Sequence, residues 1–227
     1  MKVFVTGGSG HLGKVLVDYL QKNHSVFAPS SQECNILNTL SLNETIKYFQ
    51  PDVVVHLAAF VDTFGCEERK IDALNVNVLG TLNMVEACMD LNCKFVYVSS
   101  EYVFGGDKGN YTIDDKLDPI NVYGKTKAAA EYIVSVLPNY QIIRAPFIRQ
   151  IYPKVFTDQY CSRYFLHEIV EKISNNIFNN QEKLVHIASE RMSIYDLYVK
   201  HGVKAEPITM PKNQFIPKDT SLINNSI

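Results

Sequence analysis

Four of the chain's 11 glycines, Gly7, Gly8, Gly10 and Gly13, fall within seven consecutive positions close to its start. An apolar run, Val3 to Val5, precedes them, and a segment whose apolar residues recur at helical spacing follows: Leu12, Val15, Leu16, Tyr19 and Leu20. Glycine is the residue for backbone that must turn left-handed or approach another group more closely than a Cβ allows. In the pattern G-x-x-G-x-x-G formed by Gly7, Gly10 and Gly13, the first permits the tight turn. The second lets the backbone reach a pyrophosphate, and the third brings the helix against the strand. The anion would rest on the unpaired N–H groups and the positive dipole end of that helix. The competing reading, a tight turn that binds nothing, is weakened by what surrounds the turn.

Short β-rich runs alternate with helical patterns from the beginning of the chain. "KVFVT", "SVFAP", "DVVVHLAA", "KFVYVSS" and "YQIIRAP" read as strands. Between them "HLGKVLVDYLQKN", "LSLNETIKYFQ", a long stretch over 71–92 and "NVYGKTKAAAEYIVSVL" read as helices. The strands are continuous apolar runs, as expected of a parallel sheet covered by helices on both faces. The expected fold is α/β, a Rossmann-type doubly wound parallel sheet over residues 1–147. A small, reduced C-terminal substrate lobe and arm should follow over 148–227, with a helix over 162–176, a strand in "KLVHIA", a helix in "SIYDLYVKHG" and an irregular tail from residue 207. A chain of 227 residues, 46% hydrophobic, supports one sizeable core.

Charge excludes some classes of partner. With 22 Lys plus Arg against 24 Asp plus Glu there is no basic surplus for nucleic acid or a membrane surface. Five cysteines, none in C-x-x-C spacing, read as reduced thiols of a cytoplasmic protein, and the histidines lack the spacing of a metal site. No apolar run reaches membrane-spanning length and no leader-like segment opens the chain, so a soluble, untargeted protein is expected.

The second strand informs the choice of dinucleotide. NAD-selective turns place Asp or Glu at its end to hold the ribose 2′-hydroxyl. Here Pro29, Ser30 and Ser31 stand there, which removes repulsion against a 2′-phosphate and supplies hydroxyl donors. NADP(H) is therefore the expected cofactor, with NAD(H) kept open because Glu33 is near and no arginine is. Farther along, Tyr123 and Lys127 share one helix face at i, i+4, and Ser100 ends the strand before them. A phenol of pKa ~10 is a poor acid–base group at neutral pH unless an ammonium beside it stabilises the phenolate. Serine, tyrosine and lysine so arranged suit reduction of a ketone by a nicotinamide.

The stretches "TGGSGHLG", "VVVHLAA", "NVNVLGTLNMVEAC" and "VSSEYVFGG…NVYGKTK" resemble the extended short-chain dehydrogenase/reductases that act on nucleotide sugars. Within that superfamily the chain is most similar to the dTDP-4-dehydrorhamnose reductase group. The resemblance implies Ser100, Tyr123 and Lys127 as catalytic residues. It also implies Gly7, Ser9, Gly10, His11, Leu12 and Gly13 at the pyrophosphate, Asn35 and Ile36 at the adenine, Leu57, Ala58 and Ala59 near the ribose, and Val98 on the nicotinamide side. Tyr102, Val103, Arg144 and Phe147 become candidate substrate contacts, and Arg149, Lys154 and Arg163 candidate partners of a substrate pyrophosphate. His56 reads instead as a satisfied core histidine. The family's extra helix and loop over the sugar nucleotide are missing, so the substrate lobe is cut down. Three alternatives stay open. A dehydratase is disfavoured because the family's Asp-Glu pair after the serine is here Glu101 and Tyr102, and an epimerase would use the same three residues. A non-catalytic NADP-binding subunit, like the regulatory subunit of methionine adenosyltransferase, is favoured by the short lobe and opposed by the intact triad. The helices over 71–91 and 121–137 suit a paired homodimer.

Overall fold

The computed structural model describes residues 1–211 and 215–227. Its centre is a six-stranded, all-parallel sheet. Five strands come from the first two thirds of the chain: β1 (Lys2–Thr6), β2 (Ser25–Phe27), β3 (Val53–His56), β4 (Lys94–Ser99) and β5 (Tyr140–Arg144). The sixth, Leu184–His186, lies at the edge beside β5, so the order is Leu184–His186, β5, β4, β3, β1, β2. Between β1 and β3 the winding changes direction, which opens a crevice at the carboxyl ends of those two strands.

Alternation along each strand feeds two cores. Val3, Val5, Val53, Val55, Val96, Val98 and Ile143 point to one face, where α1 (His11–Leu20) and a late helix, Leu166–Asn179, cover them. Phe4, Val54, Phe95, Tyr97 and Ile142 point to the other. That face is covered by α2 (Thr39–Phe49), the α3–α5 segment (Thr63–Glu68, Lys70–Leu74 and Gly80–Cys88) and α6 (Val122–Val134). α2 and α6 start on side-chain caps: Asn38 Oδ1 accepts the Ser41 N–H before α2, and Asn121 Oδ1 accepts that of Gly124 in α6.

The single helix expected over 71–92 is interrupted by a π-turn at Asn75–Leu79 between α4 and α5. The buried Asn77 explains the break, since its amide reaches sideways to two backbone groups of Phe60 and to the Thr126 hydroxyl.

The chain leaves the sheet after Arg144, at the end of β5, and returns for the helix Leu166–Asn179 and the edge strand. The small lobe is built from short pairings: Phe147–Ile148 with Tyr164–Phe165, Lys154–Phe156 with Glu206–Ile208, and Tyr160–Cys161 with Met192–Ser193. Because Tyr164–Phe165 is extended, the late helix starts at Leu166 and not at Ser162. Ile194–Lys200 forms the last helix. The tail expected to be irregular is so after Ile208, with 212–214 outside the described residues, but it is docked: Thr220, Ser221 and Leu222 are buried. The Asn224 and Asn225 carboxamides accept the N–H groups of Ala188 and His186.

Candidate active site

The glycine-rich turn sits over the crevice between β1 and β3. Gly7 has φ +70°, and a Cβ there would stand 2.7 Å from the Ala58 nitrogen. A Cβ on Gly13 would meet the Gly7 carbonyl oxygen at 2.1 Å. Those two glycines are required by the packing of turn on strand and helix. Gly10 differs: its Cβ would meet only the Gly7 oxygen, at 3.2 Å, so its bareness serves the open side. Gly10 is also the N-cap of α1 and offers that helix no side-chain cap, leaving the first turn's N–H groups for an anion.

Thr6 locks the turn to the segment after β3. Its Oγ1 accepts the N–H groups of Leu57 and Ala58 and lies 2.7 Å from His56 Nδ1. Thr81 donates to the Asn77 carbonyl, so it accepts from His56 Nε2, and His56 Nδ1 accepts from Thr6. His56 is buried and satisfied, and burial, with Lys127 nearby, pulls its pKa to about 3. It is a core histidine that ties β1 to α5.

A cavity of about 1040 Å³ runs from this turn across the sheet into the small lobe. At one end it is lined by Gly7, Ser9, Gly10, His11, Leu12 and Gly13, and by Ser31, Asn35 and Ile36 where β2 gives way to α2. Leu57, Ala58, Ala59 and Val98 form its floor, and Ser100, Tyr102, Tyr123, Lys127 and Phe147 its middle. Ser30 is engaged with its own loop: its N–H donates to Glu33 Oε2 and its hydroxyl accepts the Glu33 N–H. Those bonds hold the Glu33 carboxyl below its ordinary range and turn it onto the loop.

Ser100, Tyr123 and Lys127 are brought together by the end of β4 and the first turns of α6. Lys127 is 3% exposed; its ammonium donates to the Val98 carbonyl at 2.7 Å and stands 4.0 Å from the centre of the Tyr97 ring. Burial pulls its pKa down to about 7, against the opposing pull of Glu131. Burial and then the Glu101 carboxylate push the Tyr123 phenol up, while the Ser100 hydroxyl and Arg149 work the other way. Tyr123 therefore holds its proton at neutral pH.

Two expected substrate contacts do not reach the cavity. Val103 is wholly buried in a cluster with Phe104 and Tyr111. Arg144 lies inside the fold, its Nε and Nη2 donating to the two Glu131 oxygens at 3.0 and 2.7 Å and its Nη1 to His186 Nε2 at 3.0 Å. A guanidinium at the end of a buried strand needs a carboxylate, and α6 supplies one. Arg149 and Lys154 do line the cavity, and so does Arg163, which is paired with Glu101. No spacing pattern marks that pair, nor Tyr152, Phe156, Gln159 and Tyr198, which close the cavity from the small lobe. Among the described residues no group of three His, Cys, Asp or Glu could hold a metal ion, and no helix is long and apolar enough to cross a membrane. All five cysteines are free and buried.

The family model described as "RmlD substrate binding domain" matches residues 1–177. The chain belongs to that family. It is 30% identical over 151 residues to a dTDP-4-dehydrorhamnose reductase of Mycolicibacterium smegmatis, 65% of this chain and 46% of the relative. It is 33% identical over 141 residues to the methionine adenosyltransferase 2 subunit beta of Rattus norvegicus, 59% of this chain and 42% of that one. The chain thus spans about half the length of the curated relatives it matches. In fold it is similar to the crystal structure of a dTDP-4-dehydrorhamnose reductase from Bacillus anthracis in complex with NADP. The TM-score is 0.87 at 22% identity, covering 99% of this chain and 90% of that one.

Proposed function

We propose that the protein is an NADPH-dependent reductase of the keto group of a nucleotide sugar, of the 4-keto-6-deoxy class. The observation that carries this reading is that Ser100, Tyr123 and Lys127 meet in the same cavity as the uncapped N-terminus of α1. The residues present fit a dinucleotide: the open side of Gly10 and the bare helix end suit a pyrophosphate, and Asn35 and Ile36 line the place for a base. Ser31 lines the cavity where a 2′-phosphate would lie, while Glu33 is committed to the Ser30 backbone, which supports NADP over NAD. When bound, the dinucleotide would supply the hydride.

The chain's own residues do the rest. Tyr123, held protonated, gives its proton to the keto oxygen; Lys127 lies on the same face of α6 to stabilise the phenolate that remains. Phe147 and Tyr102 wall the middle of the cavity, and Arg149 and Lys154 offer cations to the substrate's phosphates. The relative in methionine adenosyltransferase supports a second reading, a binding subunit without turnover.

Loss of NADPH absorbance on adding a dTDP-4-keto-6-deoxy sugar, abolished in Tyr123→Phe, is the result expected. NADPH binding with no oxidation would move the binding-subunit reading ahead. We further place the protein in the cytoplasm, where free cysteines persist. We assign it a homodimer built on the exposed Ile71, Leu74 and Leu82 of the α4–α5 segment with Tyr132 of α6 and Val136 just beyond that helix. Sedimentation of Tyr132→Glu as a monomer, against a dimeric parent, tests that assignment.

A further inference from the structure

A stretch near the end of the chain, Phe215–Pro217, is held by two side-chain amides, one from α6 and one from the small lobe. Asn121, 1% exposed, gives the two atoms of its carboxamide different partners. Its Oδ1 accepts the Gly124 N–H at 2.7 Å and caps α6, while its Nδ2 donates to the Phe215 carbonyl at 2.9 Å. From the small lobe, the buried Gln159 donates through Nε2 to the Pro217 carbonyl at 3.1 Å. Between those two carbonyls lies Ile216, and both Ile216 and Gln159 line the cavity. The fold leaves room for the stretch: a Cβ on Gly106, which has φ +86°, would stand 2.4 Å from the Pro217 Cβ.

The same stretch meets the elements around the reacting end. Asn121 stands two residues before Tyr123, and the Phe215 ring lies edge-on to that of Phe64 on α3, with centroids 4.9 Å apart. Phe64 lines the cavity, and α3 is tied to α6 by Glu67 Oε1, which accepts the Val122 N–H at 2.7 Å. We propose that Phe215–Pro217 is a wall of the sugar subsite, with Ile216 as the residue that touches the sugar and Asn121 and Gln159 as the positioning residues that hold it there. This rests on the reductase reading, which puts the keto sugar beside Tyr123. Ile216 offers apolar contact alone, in a cavity whose cations Arg149 and Lys154 suit phosphates. A sugar hydroxyl pressed against it would give up water without gaining a partner, so the wall favours the carbon face of a deoxygenated sugar.

The two carboxamides can be altered while Ser100, Tyr123 and Lys127 stay in place. Asn121→Ser keeps an acceptor at the start of α6 but is too short to reach the Phe215 carbonyl. Gln159→Leu removes the donor to Pro217 from the other side. Each loses one hydrogen bond to the wall and should raise KM for the keto sugar about threefold to tenfold, with a smaller change in kcat. Ile216→Ala removes the contact itself and should act in the same direction.

The chain has no tryptophan, so Ile216→Trp places a single fluorophore in the wall. The experiment follows its emission, without NADPH, as the whole chain is titrated with dTDP and separately with a dTDP-6-deoxy sugar, beside KM and kcat for the parent, Asn121→Ser, Gln159→Leu and Ile216→Ala. The sugar nucleotide should move the emission and dTDP alone should move it far less. Adding Asn121→Ser or Gln159→Leu to the tryptophan variant should shift half-saturation by the sugar nucleotide upward about as much as KM. An emission that answers dTDP and the sugar nucleotide alike overturns the proposal, as does an unchanged KM in Ile216→Ala and both carboxamide variants. Should Asn121→Ser melt well below the parent, Gln159→Leu, which lies off α6, still carries the KM test. A tryptophan that responds to the sugar in a chain that oxidises no NADPH refutes turnover and leaves the wall standing; a parent that binds no sugar nucleotide in calorimetry overturns both.

Discussion

Replacing Arg144 by methionine separates a structural arginine from a substrate-binding one. Its side chain is 4% exposed and that of Glu131 5%, and the two groups share a two-pronged pair with donor distances of 3.0 and 2.7 Å. Removing one member leaves the Glu131 carboxylate buried without a counterion and takes from His186 Nε2 its donor, a change that costs about 3–5 kcal/mol in comparable sites. For a chain of this size about 1 kcal/mol corresponds to roughly 2–4 °C, so the melting temperature should fall by roughly 6–20 °C. Because Glu131 also pulls the Lys127 pKa upward, its release should favour the ammonium further. The double replacement Glu131→Leu with Arg144→Met should recover most of the loss, since well-packed apolar groups replace buried pairs at little cost. Urea and thermal unfolding of the parent, both single variants and the double variant read this directly. Unchanged stability in Arg144→Met together with a raised KM would refute the reasoning and return Arg144 to the substrate.

Other perturbations test the remaining links. Gly13→Ala puts a methyl 2.1 Å from the Gly7 oxygen and should destabilise the fold by about 1–3 kcal/mol in urea unfolding, whereas Gly10→Ala should spare stability and weaken NADPH binding in calorimetry. Lys127, with its folded pKa pulled to about 7 from an unfolded value near ~10.4, binds fewer protons in the fold between those limits. Its share of stability therefore rises with pH through that window, and Lys127→Met should remove that share from the pH dependence of unfolding. Ser31→Asp should turn preference from NADPH towards NADH by about tenfold or more in kcat/KM, through repulsion of the 2′-phosphate.

Local patterns carried most of what the sequence revealed. The strand, the glycine turn and the helix that make the crevice are contiguous, and Tyr123 and Lys127 are one helical turn apart, so spacing alone reports them. What local spacing does not report is long-range. The Arg163–Glu101 pair joins residues 62 apart, and a basic residue in a loop carries no mark of its partner. Arg144, which the family resemblance offers to the substrate, ends β5 and is received inside the fold by Glu131 of α6. The π-turn at Asn75–Leu79 was hidden because Asn77 is polar within an otherwise helical pattern, and only its links to Phe60 and Thr126 explain the break. Docking of the tail likewise depends on backbone groups of Ala188 and His186 that no side-chain pattern advertises.

The most direct test is transfer of label from NADPH carrying deuterium at the reactive C4 position of the nicotinamide to a dTDP-4-keto-6-deoxy sugar, followed by mass spectrometry of the product. One deuterium gained at the former keto carbon, absent in Tyr123→Phe, is the result predicted. NADPH that binds in the cavity but gives no deuterium to any keto sugar would contradict the assignment of Ser100, Tyr123 and Lys127 as a reducing centre.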